Sequence, residues 1–241
     1  MDNPTPYAPA STAWPAMAGA AAAAAAGAGR TVVVAGATGL VGRAILQGLL
    51  ADDSVAAVHA LGRRPPGVQH PKLSAQAVDF AALPPLPPLD EAYLALGTTI
   101  KVAGSQPAFR AVDFAANLAV AQAARVAGAR RIGIVSAMGA DAHSSLFYNR
   151  VKGELEDALA ALSFEGLVIA RPSFLAGDRA VLGQPVRGGE KLALQVSRWL
   201  RPLVPANLRS IAAQDVAAAL LREVPRAAGR KMLLSGAMQR S

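Results

Sequence analysis

Tyr148 and Lys152 stand four residues apart in the stretch YNRVK. On a helix that spacing sets a phenol and an ammonium on one face, a turn apart. An ammonium near a phenol favours the phenolate, and such a tyrosine can give or take a proton from a carbonyl or an alcohol near neutral pH. Ser136 ends an apolar run twelve positions before Tyr148, where its hydroxyl could hold the same substrate oxygen. A second set of residues offers different chemistry. Gly36, Gly39 and Gly42 are spaced G-x-x-G-x-x-G within TVVVAGATGLVG, residues 31–42. Three valines before them read as a buried strand, and RAILQGLLA after them reads as a helix. In such a strand–turn–helix the first glycine permits a tight turn, the second lets the backbone approach a pyrophosphate, and the third lets the helix pack close to the strand. The phosphates then rest on the free N–H groups and the positive dipole end of the helix. The pattern points to a bound dinucleotide.

The elements that must hold these residues follow in alternation. A second strand over residues 54–61 runs into Gly62, Arg63 and Arg64. In NAD-selective sites an acidic residue about 20 positions past the glycines binds the ribose 2′-hydroxyl. Here that strand end carries two arginines and no acid. Arginine suits a 2′-phosphate, which it grips bidentately, so NADP is the expected cofactor, with NADPH favoured over NADH. A third strand within residues 73–80 ends in Val78, Asp79 and Phe80, and Asp79 could face an adenine amino group or start a turn. The proline-rich LPPLPPL of residues 83–89 reads as an irregular connection. Residues 91–96 make a fourth strand, followed by Gly97 and Thr98, whose small side chains suit a backbone lying beside pyrophosphate and ribose.

Residues 101–106 are a candidate mobile loop. A long helix over residues 107–127 carries Phe109, Val112, Leu118, Val120 and Val126 at apolar spacing, and Gly128 ends it. Residues 131–136 are a fifth strand, residues 145–162 a helix bearing Tyr148 and Lys152, and residues 166–171 a sixth strand. Helices at 190–200 and 214–224 and a strand at 231–235 complete the alternation. The order predicts an α/β protein built on a doubly wound parallel sheet. Residues 30–241 are expected to form a single domain with a small C-terminal extension on the substrate side.

The chain of 241 residues is long enough for one such domain with a full core. Its composition, 53% hydrophobic and 17% charged, suits a sheet covered on both faces. Without cysteine it has neither disulfides nor thiolate metal sites, and no metal is expected. The formal net charge is +8, but the arginines are scattered rather than interleaved with aromatics, so no nucleic-acid partner is expected. An anionic cofactor accounts for the sign. Residues 1–29 are rich in alanine, proline and serine and read as a disordered extension. They lack the basic start of a signal peptide, and the alanine run at 20–26 is too short to span a bilayer. No membrane segment and a cytoplasmic location are therefore expected. The sequence assigns no oligomeric state.

Taken in order, the glycine motif, Ser136, Tyr148 and Lys152 resemble the short-chain dehydrogenase/reductase superfamily. LALGTT at 94–99, VDFAANLAVAQAARVAGARR at 112–131, SAMGAD at 136–141, FYNRVKGELE at 147–156 and ARPSFLAGDR at 170–179 resemble its atypical members, the NAD(P)H-binding proteins similar to TIP30-type oxidoreductases. The likeness spans about residues 30 to 235. It implies a Rossmann fold with strand order 3-2-1-4-5-6-7. It further implies an NADP-dependent oxidoreductase moving hydride to or from a small carbonyl or alcohol. The cofactor contacts it implies are Gly36, Thr38, Gly39, Leu40, Val41, Arg63, Arg64, Asp79, Leu96, Gly97, Thr98, Tyr148 and Lys152, with Pro172 and Ser173 beside the nicotinamide. Tyr148 would be the general acid or base, Ser136 would polarise the substrate oxygen, and Lys152 would tune Tyr148 and fix the ribose. Asn117 is the candidate for the asparagine that typical members carry on their central helix.

Typical members have Thr-Gly-x-x-x-Gly-x-Gly, whereas this chain has Ala35 before Gly36 and wider glycine spacing, as in the atypical branch. Several relatives there bind cofactor with little turnover. The alternative reading is accordingly a non-catalytic NADP(H)-sensing regulatory or scaffold protein. A sugar-nucleotide epimerase or dehydratase ranks lower, because only about 70 residues follow the sixth strand. Arg179, Arg187, Arg198, Arg201 and Arg209 fall in the C-terminal part that caps the sheet edge, where some would line the substrate mouth and favour an anionic small molecule, the alternative being a solvated face.

Overall fold

The three valines after Thr31 lie at the centre of the fold. In β1 (Arg30–Ala35) side chains alternate between two apolar layers, Val32 and Val34 on one face and Val33 and Ala35 on the other, all fully buried. A strand covered on both faces needs apolar residues at every position, which is why this run lacks the alternation of a half-exposed strand. The computed structural model describes residues 29–176, 207 and 209–239. Residues 1–28 of the expected extension, the helix expected at 190–200, and Arg179, Arg187, Arg198 and Arg201 lie outside the described residues.

The sheet comprises β1, β2 (Val55–Gly62), β3 (Leu73–Ala77), β4 (Glu91–Leu94), β5 (Arg131–Val135), β6 (Gly166–Arg171) and β9 (Gly229–Leu234). Its seven strands are all parallel, in the order β3-β2-β1-β4-β5-β6-β9. This is the expected Rossmann order, with the last strand in seventh place. A separate parallel pair joins β7 (Leu175–Ala176) to β8 (Ile211–Ala212).

One layer over the sheet is formed by α1 (Leu40–Ala51), through Ile45, Leu46 and Leu49, and by the later helix Ala213–Glu223, through Val216 and Leu220. The opposite layer is formed by α4 (Asn117–Val126), through Val120 and Ala124, and α5 (Phe147–Ala161), through Leu155 and Leu159. Each helix places apolar residues three and four apart on its inner face.

Two segments differ from the sequence expectation. Residues 101–106 are not a mobile loop. Thr99 caps the short helix α2 (Ile100–Ala103) by accepting the Val102 N–H at 3.1 Å, and Ser105 caps α3 (Gln106–Arg110) by accepting the Ala108 N–H at 3.2 Å. The capping residues were there to be read, each a hydroxyl three residues before the amide it satisfies. The long helix is also not uniform, because a π-helical turn, Ala111–Ala116, separates α3 from α4. Val126, which the apolar spacing turns inward, is 90% exposed, because six residues of helix carry it about 240° round from the buried Val120, and Ala121 and Ala124 face the core instead.

Candidate functional site at the carboxyl edge of the sheet

The glycine turn between β1 and α1 contains three glycines with unequal reasons to be there. Gly36 has a φ of +88° and donates its N–H to the Leu61 carbonyl at 3.1 Å. A Cβ on it would lie 2.5 Å from the Ala95 oxygen, and one on Gly42 would lie 2.0 Å from the Gly36 oxygen. Both are glycine because the chain crosses itself there. Gly39 has an ordinary φ of −76°, and a Cβ on it would meet only the Gly36 and Ala95 oxygens, at 3.4 and 3.9 Å. The protein's own packing therefore does not demand glycine at 39. As the N-cap of α1, Gly39 supplies no side-chain acceptor, so the amides of the first turn lack the cap that serine or aspartate would provide. An uncapped positive helix end beside open ground fits a phosphate. Thr38 and Leu40 flank it exposed, while Val41 is buried in the core.

Beyond β2, Arg63 and Arg64 are exposed, and neither makes an ion pair or hydrogen bond among the described residues. Arg43, on α1, joins Thr38 and residues 66–68 in lining a pocket of about 360 Å³ beside the glycine turn. Asp79 takes the turn-starting role, its Oδ1 accepting the Ala81 N–H at 2.9 Å.

Tyr148 and Lys152 both lie on α5, but they meet different neighbours. Tyr148 is 37% exposed and its ring centroid stands 5.5 Å from that of the buried Phe109. Lys152 is buried, and its Nζ lies 2.7 Å from Oδ1 of Asp113, itself buried in the π-helical turn. The other Asp113 oxygen accepts the Thr98 N–H at 2.8 Å. Asn117 donates its side-chain amide to the carbonyls of Leu96, Val112 and Asp113, each at 3.2 Å. The loop of Leu96, Gly97 and Thr98 is thus anchored by Asn117 at one end and by Asp113 at the other.

Ser136, expected to polarise the substrate oxygen, is engaged within the protein. Its hydroxyl is buried and donates to Glu156 Oε1 at 2.6 Å. A serine has one proton to donate, and this one is committed. Glu156 also receives Arg171 Nε at 2.9 Å and Nη2 at 2.6 Å, and Arg230 approaches at 3.3 Å. Ser173 is likewise engaged, its hydroxyl donating to the Arg209 carbonyl and its N–H to Ser235 Oγ at 2.8 Å. Pro172 is buried and its carbonyl accepts the Met138 N–H at 2.9 Å. The sequence reading missed Asp113 and Glu156. Glu156 could have been noticed as the next member of the i, i+4 series begun by Tyr148 and Lys152. Asp113 could have been noticed as the one carboxylate in an otherwise uncharged stretch, AVDFAAN, of the central helix.

No family model matches the chain. It is similar to the mitochondrial protein fmp52 of Emericella nidulans, 38% identical over 160 residues, which cover 61% of this chain and 68% of that protein. The mitochondrial protein FMP52 of Chaetomium globosum is 34% identical over 179 residues, 69% of this chain and 75% of its own. These names overturn the cytoplasmic location expected from the sequence. That expectation rested on the composition of the first residues and the lack of cysteine, and neither property specifies a compartment. Among solved structures, a short-chain dehydrogenase/reductase superfamily protein from Agrobacterium tumefaciens with bound NAD superimposes with a TM-score of 0.61 at 16% identity, covering 85% of this chain and 77% of that one. A UDP-N-acetylglucosamine 4-epimerase from Methanobrevibacter ruminantium, in complex with UDP-N-acetylmuramic acid, gives 0.62 at 16% identity over 86% and 77%. At such identities the likeness establishes the fold.

Proposed function

The chain belongs to the FMP52 family, and from that membership and the geometry of its carboxyl edge we propose that it binds a nicotinamide dinucleotide there and acts as an NADP(H)-dependent oxidoreductase of the atypical short-chain dehydrogenase/reductase kind. The observation that carries the reading is Gly39, a glycine that the protein's packing does not require, at the uncapped start of α1. Solved proteins of the same fold hold NAD, which supports the choice of ligand. The finer likeness to TIP30-type oxidoreductases rests on the order of motifs alone.

In this reading the first-turn amides of α1 receive the pyrophosphate. Arg63 and Arg64, and Arg43 from the adjoining pocket, supply uncommitted positive charge for a 2′-phosphate, which is the basis for preferring NADP. Leu96, Gly97 and Thr98 border the cofactor with backbone. When bound, the cofactor supplies hydride transfer to or from a carbonyl carbon. Tyr148, partly exposed on α5, holds or moves the proton at the carbonyl oxygen. Lys152, one turn along α5 and paired with Asp113, is the residue this reading assigns to tune the phenol and to offer its remaining N–H groups to the ribose. The substrate is a small molecule.

One observation favours a second reading. With its proton committed to Glu156, Ser136 leaves the substrate oxygen without the donor that would polarise it. A protein that binds NADP(H) and signals through its surface needs no such donor.

Fluorescence and thermal-shift titrations with NADPH and NADH side by side test the proposal. NADPH should bind about tenfold or more tightly than NADH, the effect of a charge-assisted hydrogen bond or two. Replacing Arg63 and Arg64 together by alanine should erase that difference and spare NADH. Equal affinities in the wild type would withdraw the NADP preference. Binding of neither coenzyme would overturn the whole reading. Turnover of a panel of carbonyl compounds with NADPH then separates the enzyme from the sensor.

A further inference from the structure

Phe109, Asp113 and Asn117 follow one another at four-residue spacing on the segment that runs from α3 through the π-helical turn into α4. Each touches a different part of the proposed cofactor edge. Phe109 packs on the Tyr148 ring, Asp113 joins Lys152 to the Thr98 amide, and Asn117 holds the Leu96 carbonyl. Asp113 is the member with two engaged oxygens on two separate elements, the loop after β4 and the helix α5. It is only 1% exposed, and Lys152 only 4%. A buried carboxylate that pairs with a buried ammonium and accepts a backbone amide is held between the two. Gly97 lies over this bridge, with the position of a Cβ 3.6 Å from Asp113 Oδ1. The π-helical turn has a local reason to persist, since the Asn117 side chain takes up the carbonyls of Val112 and Asp113 at the widened turn.

We propose that Asp113 is a positioning residue that makes Lys152 and the loop of residues 96–98 one unit, so that a dinucleotide meets the lysine and the loop already in register. The sequence reading assigned Lys152 the tasks of tuning Tyr148 and fixing the ribose, with no carboxylate partner. The structure gives its ammonium a carboxylate partner first, so the lysine's direction is set by the central helix and not by its own. This inference rests on the proposed dinucleotide site for its second measurement and on the free protein for its first.

The first measurement is amide hydrogen exchange of the unliganded protein. Lys152→Met should speed exchange at the Thr98 amide several-fold, although residue 152 does not touch that amide, because Asp113 loses the charge that anchors it. An unchanged Thr98 rate in Lys152→Met, with the protein folded, overturns the coupling. The second measurement is NADPH affinity across Asp113→Asn, Lys152→Met and the double variant. Each single change should weaken binding about tenfold, the size of one charge-assisted hydrogen bond, and the double variant should lose no more than either. A hundredfold loss in the double variant, the product of independent effects, overturns the proposal, as does wild-type affinity in Asp113→Asn. A purely structural aspartate would lower the melting temperature and leave the affinity of the folded variant alone. Should either single variant fail to fold for want of a partner to its buried charge, the double variant, which removes both charges, keeps the measurement possible. If the wild type binds no dinucleotide, the function reading falls, and the exchange experiment alone decides the coupling.

Discussion

The two edges of the central sheet differ in what they leave unpaired. At the amino edge several charges are paired. Arg30 meets Glu91 and Asp52, each at 2.7 Å, Tyr93 donates to Glu91 at 2.9 Å, and Arg130 meets Glu165 at 2.6 Å. Burial, and then the charge of Glu91, push the Tyr93 phenol well above its ordinary value, so it stays a donor to that carboxylate. At the carboxyl edge α1 starts without a cap, and Arg43, Arg63 and Arg64 lack charged partners among the described residues. Large apolar side chains are also left in water there, with Leu40 50% exposed and Phe174 72%. Arginines without described charged partners and uncovered apolar surface beside the glycine turn are what a ligand site there would leave open. They also separate two kinds of substitution, those that should cost stability and those that should cost binding or turnover.

The largest expected effect tests the carboxyl edge. Tyr148→Phe should lower carbonyl turnover by about 10²–10⁴-fold, the range of a lost general acid or base. NADPH affinity should stay within a few-fold, because Phe keeps the ring on Phe109. Comparing steady-state rates with a binding titration checks both halves. Turnover that survives the substitution removes Tyr148 from the mechanism, and with it the contrast between a structural and a chemical tyrosine in this chain.

At the amino edge the effect should fall on stability alone. Glu91 is 1% exposed, and Glu91→Gln would leave Arg30 without its buried partner. The cost should be about 3 kcal/mol, near the low end for a broken buried pair because Arg30 keeps a quarter of its side chain in water. Urea unfolding measures it. NADPH affinity of the folded variant should match the wild type, and a large loss there would mean that the two edges are coupled through β4.

Between the edges, His59 in β2 is 7% exposed, and burial lowers it from 6.5 to about 4. The unfolded chain takes up this proton as pH drops below 6.5, while the fold refuses it until about 4. Between those values the unfolded state binds more protons, so stability falls as pH falls. The loss from pH 7 to pH 5 should be about 2 kcal/mol. His59→Leu should flatten the profile in unfolding experiments at the two pH values. A wild-type profile already flat over that window would show that the imidazole is not held neutral.

How much of this contrast was legible beforehand follows from what kind of contact each part uses. The glycine turn, the alternation of strands and helices and the placing of Tyr148 and Lys152 on one helix depend on short-range periodicity and were readable, whereas the strand order followed from the family resemblance. The destination of Ser136 was not, because Glu156 lies twenty residues on and is brought to it by the packing of α5 on the sheet. Asp113 failed for a related reason. Its partner Lys152 is on another helix, and periodicity within one element does not show which residue of another it will meet. Thr99 and Ser105 show the opposite case, local capping signals that were present in the sequence and passed over in favour of a loop.

The smallest expected effect bears most directly on the ligand. Gly39→Ala places a methyl where the protein itself leaves ordinary contact distances of 3.4 and 3.9 Å. Stability should fall by no more than about 1 kcal/mol, the difference between glycine and alanine at an N-cap. Gly42→Ala should cost more, because its Cβ position is 2.0 Å from a backbone oxygen and the turn would have to open. If phosphates rest on the first turn of α1, the ranking reverses for binding relative to stability. Gly39→Ala should weaken NADPH about tenfold in a protein that melts almost as the wild type does, because the methyl stands where the backbone must approach the pyrophosphate. A Gly39→Ala protein that binds NADPH as tightly as the wild type would mean that the open ground at this turn is not where the coenzyme lies, whatever else the carboxyl edge does.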